Sequence, residues 1–237
     1  MATLSSKSFV VTGGSGNLGQ STVRALVSRG ARVLVVDRDD TRPKVTFAEE
    51  VAARRVFTAR VDLTNPEAVS RDLAKHLEPL DDLFGLVATV GGYKGGASVL
   101  DGTWEDWESM WRINVATSLL ASRAVLPKLV ARKAGALVHV ASLAALGGNK
   151  NQVAYGSAKA AVLRLSEGLA DELKEHGIRV NAVLPGTMDT RENRSWMSAE
   201  VANTAVDTAA VADVIAFLLS DEARGVTGSA IRVAGFQ

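Results

Sequence analysis

Seven short apolar runs rich in β-branched residues recur along the chain: SFVVT (8–12), RVLVVD (32–37), RVFTARVD (55–62), LFGLVATV (83–90), ALVHVAS (136–142), IRVNAVLP (178–185) and AIRVAG (230–235). Continuous apolar runs of this length suit strands buried on both faces of a sheet. Most are separated by longer helix-like segments, at about 18–29, 66–77, 104–131, 153–175 and 208–220. Several of these stop near Gly30, Gly135 or Gly177, where a glycine in the left-handed region would cap the helix. Strand and helix in alternation predict an α/β fold with a parallel sheet and right-handed crossovers. Pro and Gly fall between elements and no repeat or low-complexity linker divides the chain, so a single domain over 1–237 is expected. Residues 186–207 fit neither pattern, and a connection of that length is expected to be a functional lid.

Charge and composition remove several classes of function. The 27 basic and 26 acidic residues leave a net charge of +1, and no segment gathers positive charge as a nucleic-acid or anionic-membrane surface requires. Neither partner is expected. Cysteine is absent, which removes disulfides, thiolate metal sites and cysteine nucleophiles and fits a reducing compartment, so a cytoplasmic location is expected. The opening MATLSSKSFVVTGG carries one lysine and no long apolar run, unlike a secretory signal, and no uninterrupted apolar stretch reaches bilayer-spanning length. His76, His139 and His176 lie in different predicted elements, and no metal site is expected from them.

The first candidate chemistry lies where the first strand turns into the first helix. TGGSGNLG (12–19) contains G-x-G-x-x-G as Gly14, Gly16 and Gly19. Glycines there permit a tight turn and let backbone approach a pyrophosphate, whose charge the free amides of a helix N-terminus stabilise. A glycine-rich turn without ligand would have the same letters. Asp37 shifts the balance: it ends the second strand eighteen residues after Gly19, where a carboxylate accepts hydrogen bonds from the adenosine ribose and repels a 2′-phosphate. Arg38 follows and could attract that phosphate or lie over the adenine, so NAD(H) is the expected coenzyme with NADP(H) possible. Asp62 could reach the adenine edge, although a helix start before Pro66 explains DLTNP nearly as well.

YGSAK (155–159) puts Tyr155 and Lys159 on one helical face. A tyrosine can exchange a proton with a carbonyl or alcohol near neutral pH if positive charge lowers its pKa, which Lys159 would supply while also anchoring ribose. Such a pair arises often by chance; its surroundings give it weight. Ser142 ends a predicted parallel strand thirteen residues earlier, at the sheet edge where open α/β folds bind ligands, and its hydroxyl could hold the substrate oxygen or merely cap the turn. Asn114, in MWRINVATSLL, is an amide inside an apolar helix and needs partners there: a water network at a kink, a water-mediated proton path, or both.

TGGSGNLG, RIN, Ser142, YGSAK and VNAVLPGT occur in the order and approximate spacing of the short-chain dehydrogenase/reductase (SDR) family, which the chain resembles over nearly its whole length. The resemblance implies a Rossmann-type doubly wound sheet of about seven strands, a catalytic Asn-Ser-Tyr-Lys tetrad matched by Asn114, Ser142, Tyr155 and Lys159, and hydride transfer with a nicotinamide coenzyme. It also implies a homodimer or homotetramer formed through helices 104–131 and 153–175. The candidate coenzyme contacts are Gly13, Gly14, Ser15, Gly16, Asn17, Leu18 and Gly19 in the loop, then Asp37, Arg38, Asp62, Leu63, Val90, Gly91, Tyr155, Lys159, Pro185, Gly186 and Thr187.

Two segments depart from the family pattern. Asn17 stands at the middle glycine of TGxxxGxG, and ATVGGYKGG (88–96) replaces Asn-Asn-Ala-Gly. Both changes, with VLPGTMDTRENRSWM (183–197), resemble dihydropteridine reductase, a short member of the same superfamily. Tyr93 could then offer an aromatic face to a planar, pterin-like ring, with Leu143, Met188, Trp196 and Met197 as an apolar wall. Alternatively Tyr93 packs on the lid and these residues anchor it. That enzyme lacks the usual serine, whereas Ser142 and Asn114 here complete the carbonyl-reductase set. The expected function is therefore reduction of a small carbonyl or oxidation of the matching alcohol. The alternatives are a quinonoid dihydropteridine reductase-like activity and a non-catalytic dinucleotide-binding sensor or scaffold.

Overall fold

The computed structural model describes residues 3–235. All seven apolar runs become strands of one parallel sheet: β1 (Ser8–Thr12), β2 (Arg32–Asp37), β3 (Val56–Arg60), β4 (Leu83–Ala88), β5 (Gly135–Val140), β6 (Ile178–Pro185) and, after two short lid strands β7 (Met188–Asp189) and β8 (Val206–Asp207), β9 (Ala230–Val233). Their order is β3-β2-β1-β4-β5-β6-β9. β1 lies between β2 and β4, so the connections diverge there and a crevice opens at the carboxyl ends of β1 and β4.

Side-chain alternation along the strands builds a core on each face. Phe9, Val11, Val33 and Val35 pack on one side with Leu26, Val211 and Ile215, which come from α1 (Asn17–Ser28) and α11 (Thr208–Leu219). Val10, Leu34, Leu86 and Leu137 point the other way, against Val125, Leu129 and Leu169. Val125 and Leu129 lie on α7 (Thr117–Arg132) and Leu169 on α8 (Val153–Leu173). The run Trp104–Arg132 is long and apolar enough to cross a membrane by length and composition, yet Val115, Ala121, Val125 and Leu129 are buried within the fold.

Three details differ from the expectations. The segment after β2 forms α2 (Thr41–Thr46) and α3 (Ala48–Ala52), hidden in the sequence because Pro43 breaks a helical pattern; in the first turn its missing N–H costs nothing. The helix over 66–77 is α4 (Pro66–Ala68), a π turn at Val69–Leu73 and α5 (Ala74–Leu77). Likewise α6 (Trp104–Met110) joins α7 through a π segment, Trp111–Ala116. Gly30 and Gly177 do adopt left-handed φ values of 91° and 67°, but Lys133, at φ 56°, ends α7 instead of Gly135. Gly135 opens β5, where a Cβ would press on Leu129 at 3.1 Å and the Phe84 carbonyl at 3.2 Å.

The lid is folded. Met188 and Asp189 pair in parallel with Val206 and Asp207, closing a loop that carries α9 (Arg191–Arg194) and α10 (Ala199–Thr204). Thr190 caps α9 by accepting from Asn193 N at 3.1 Å, and Asn193 Nδ2 donates to the Met188 carbonyl at 2.9 Å.

His139, fully buried on β5, bridges the helices behind the sheet: Nε2 lies 2.9 Å from Ser122 Oγ on α7 and Nδ1 2.8 Å from Ser166 Oγ on α8. A neutral imidazole has one N–H, so one serine accepts from the ring and the other donates to it. Burial pulls its pKa from 6.5 to about 4. Between those values only the unfolded chain binds the proton, so this contribution to stability is complete above pH 6.5 and is lost as pH falls toward 4. Urea unfolding should show an order-of-magnitude loss of about 3 kcal/mol across that window, and His139→Gln should flatten it.

Candidate active site

At the carboxyl end of β1 the chain enters a turn that only glycine permits. Gly13 has φ +64°; a Cβ on Gly14 would lie 2.7 Å from Val35 Cγ1, and one on Gly19 would lie 2.2 Å from the Gly13 carbonyl oxygen. The loop is thereby packed flat onto β1 and β2. α1 starts at Gly16 with no side-chain cap and no acidic residue in its first turn, so its leading amides are open to an anion. This cradle fits a coenzyme pyrophosphate. Asp37 braces it: Oδ2 accepts from Ser15 Oγ at 2.7 Å and Ser15 N at 3.3 Å, and Oδ1 accepts from Arg38 N at 2.8 Å. Oδ2 is filled by the two Ser15 bonds, and Oδ1 retains a lone-pair direction for a ribose hydroxyl.

The remaining coenzyme candidates divide by depth. Leu18 and Leu63 are core residues that can offer a ligand only their backbone, whereas Val90, Gly186 and Thr187 are half-buried and Gly91 is exposed along the carboxyl edge. Pro185 ends β6, Gly186 N donates to Val233 O at 3.0 Å, and the Thr187 carbonyl accepts from Val206 N at 2.9 Å. The Asp62 carboxylate is engaged in its turn, accepting from Thr64 Oγ1 at 2.7 Å and Thr64 N at 2.9 Å. These bonds, with Arg38 and Arg112 nearby, lower its pKa. Asn17 Nδ2 donates to Glu192 Oε2 at 2.7 Å, linking the loop to the lid. Two contacts escaped the sequence reading: this Asn17 bond, and Thr89 Oγ1, which donates to the Thr12 carbonyl at 2.5 Å and ties β4 to the loop. A threonine interrupting LFGLVATV beside the loop was the available signal for the second.

Four candidate catalytic residues converge at the same edge. Lys159 is 5% exposed, and its ammonium donates to the Val140 carbonyl at 3.0 Å. Burial lowers its pKa from 10.5 to about 8, which leaves it charged at neutral pH. A Cβ on Gly91 would meet Asn114 Oδ1 at 2.8 Å and Lys159 Nζ at 3.1 Å, so these two polar groups flank one glycine. Asn114 sits in the π segment, held by protein partners: Nδ2 donates to Gly92 O and to Met110 O, both at 3.0 Å, and Oδ1 accepts from Gly92 N at 3.2 Å. Ser142 follows β5, and its Oγ accepts from Ala144 N at 3.2 Å, which caps the turn.

Tyr155 shows the largest difference from the electrostatics expected. Burial pushes its pKa above 10, the Ser142 hydroxyl partly offsets that by hydrogen bonding, and Tyr93 adds to the rise. Lys159 Nζ, 5.9 Å from the Tyr155 ring centre, is turned toward Val140. Without ligands the phenol is therefore held protonated. Tyr93 stands edge-on to Tyr155, ring centres 5.0 Å apart at 79°, while 61% of its surface remains exposed. Leu143 packs in the cluster that includes Tyr155, and Met188 packs on the core below the lid. Met197 is half-buried and Trp196 is 61% exposed.

The short chain dehydrogenase family profile matches residues 7–201. The chain belongs to the short-chain dehydrogenase family. Among relatives of this family, Dehydrogenase/reductase SDR family member 6 of Danio rerio is 30% identical, with 99% of this chain and 98% of the relative covered. The crystal structure of gox2181 superposes with a TM-score of 0.91 at 29% identity, covering 98% of this chain and 95% of that one. A 7 alpha-hydroxysteroid dehydrogenase complexed with NADH and 7-oxo glycochenodeoxycholic acid superposes at 0.90 with 27% identity, covering 98% and 94%. The family membership makes this chain an oxidoreductase, with the single-domain Rossmann sheet of its relatives.

The packing of the loop sets a sharp expectation. In Gly19→Ala the new methyl meets backbone that cannot yield, so thermal unfolding should show a loss of roughly 1–3 kcal/mol or more, together with weaker NADH binding by fluorescence titration.

Proposed function

We propose that this chain is an NAD(H)-preferring oxidoreductase that reduces a small carbonyl compound, or oxidises the matching alcohol, with Asn114, Ser142, Tyr155 and Lys159 as its catalytic set. The observation that carries this reading is the meeting of a protonated Tyr155, the Ser142 hydroxyl that hydrogen-bonds to it and a buried Lys159 ammonium beside a glycine-lined anion cradle. The nicotinamide coenzyme, when bound, supplies or accepts the hydride. In the direction of reduction Tyr155 gives its phenolic proton to the substrate oxygen, which the Ser142 hydroxyl holds by donating to it. The Lys159 charge stabilises the phenolate that remains. Asn114 supports the proton path by fixing the backbone next to Lys159.

Asp37 supports NAD(H) over NADP(H), because its carboxylate is placed at the end of β2 and would repel a 2′-phosphate. The exposed Trp111 and Leu119, on the helical run 104–132, support pairing of two or four copies through that run and α8. A cysteine-free chain suits the cytoplasm.

In a panel of ketones, secondary alcohols and quinonoid dihydropterin, turnover should be found with a ketone–alcohol pair and NADH should give a higher kcat/KM than NADPH. Tyr155→Phe should lower kcat by about 10²–10⁴-fold with NADH affinity retained; an unchanged kcat overturns the reading, and turnover confined to the dihydropterin assigns the site to pteridine reduction.

A further inference from the structure

The segment GGYKGG (91–96) is used only in part by the chemistry above. It forms a strap across the acid/base end of the site and is tied at three points. Near its start, the Asn114 amide grips Gly92 from both sides, by Gly92 N to Oδ1 at 3.2 Å and Nδ2 to Gly92 O at 3.0 Å. At its far end Gly96, with φ +105°, donates its N–H to the Asn151 carbonyl at 2.9 Å, just ahead of α8. Between them Lys94 pairs with Asp106 in the first turn of α6.

These ties leave Tyr93 little freedom. The backbone returns so close to its ring that a Cβ on Gly95 would lie 2.3 Å from the Tyr93 hydroxyl oxygen and 3.2 Å from the Asn151 carbonyl. Glycine at 95 leaves the Tyr93 ring room at this angle. The outcome is a phenol ring standing upright on the Tyr155 ring, the geometry that aromatic quadrupoles favour. Because Tyr93 remains largely exposed, it contributes little to the core, and its main protein contact of consequence is with the acid/base residue.

We propose that Tyr93 is a positioning residue for Tyr155, fixing the orientation of its ring and shielding it from water so that it rests as a proton donor. The functional meaning of this role depends on the acid/base assignment of Tyr155. Its physical basis is that a phenolate loses more than a phenol when water is removed. Ser142 from the end of β5 acts on the Tyr155 phenol by hydrogen bonding and Tyr93 from the strap by charge, while Lys159 on the same helix lies 5.9 Å from the ring centre. The Tyr93 effect is charge repulsion that arises only when its own phenol ionises, so Tyr93→Phe and Tyr93→Ala both remove it, while the proposed shielding rests on the ring contact that Tyr93→Phe keeps.

The chain contains two tyrosines, both at this contact, so ring carbon-13 labelling of tyrosine reads the pair directly. Tyr155→Phe assigns the two resonances in the wild type, while Tyr93→Phe and Tyr93→Ala leave Tyr155 as the only signal. Titration is followed over the alkaline range in which far-UV circular dichroism is unchanged, and the comparison needs only the onset of the shift. Tyr93→Ala should begin to ionise about one pH unit lower than wild type, a tenfold change in the phenol to phenolate ratio, and Tyr93→Phe, which keeps the ring, should move less. Coincident onsets in wild type and Tyr93→Ala overturn the proposal. This readout needs neither substrate nor turnover, so it stands or fails separately from the Tyr155→Phe test of catalysis.

Discussion

An ammonium group enclosed by protein is costly unless its charge is met by polar atoms. Lys159 meets that demand with the carbonyl of Val140, the last residue of β5, beside Gly91, whose missing side chain leaves room for both Nζ and Asn114 Oδ1. Much of the local architecture follows from keeping this cation in place. α8 runs close against the turn that follows β5, where a Cβ at Gly156 would stand 3.2 Å from the Ala144 carbonyl. The strand ends, the π segment and the glycine strap all close on the same point.

The sheet could be read from the sequence because a two-sided buried strand has few alternatives: each apolar run became a strand, most with bounds within two residues. The loop 12–19 and its partner Asp37 were legible for a related reason, since backbone that must approach backbone admits only glycine. Tyr155, Lys159 and Ser142 were likewise legible as a set, because helical spacing and strand ends fix which side of the sheet they occupy.

What could not be read is where long or amide side chains turn once they arrive. An i,i+4 spacing places Lys159 on the face of Tyr155 but does not say that its ammonium points to Val140, which leaves burial to dominate the phenol. Asn114 was recognisable as a buried amide in need of partners; that it finds them in Gly92 and Met110 depends on a π turn, a hydrogen-bond shift with no sequence period of its own. Trp196 and Met197 shared a segment with Met188, yet proximity along a lid says nothing about which residues face inward.

The root of the lid is a two-residue parallel ladder, Met188 and Asp189 against Val206 and Asp207. It closes the intervening loop on itself, so the chain leaves β6 and enters α11 from nearly adjacent positions whatever lies between. Lengthening such a closed excursion changes its closure entropy only logarithmically. The fold thus carries a place where a longer segment could be inserted, or the present one exchanged, without disturbing the register of the sheet or the packing of Tyr155 and Lys159 on α8.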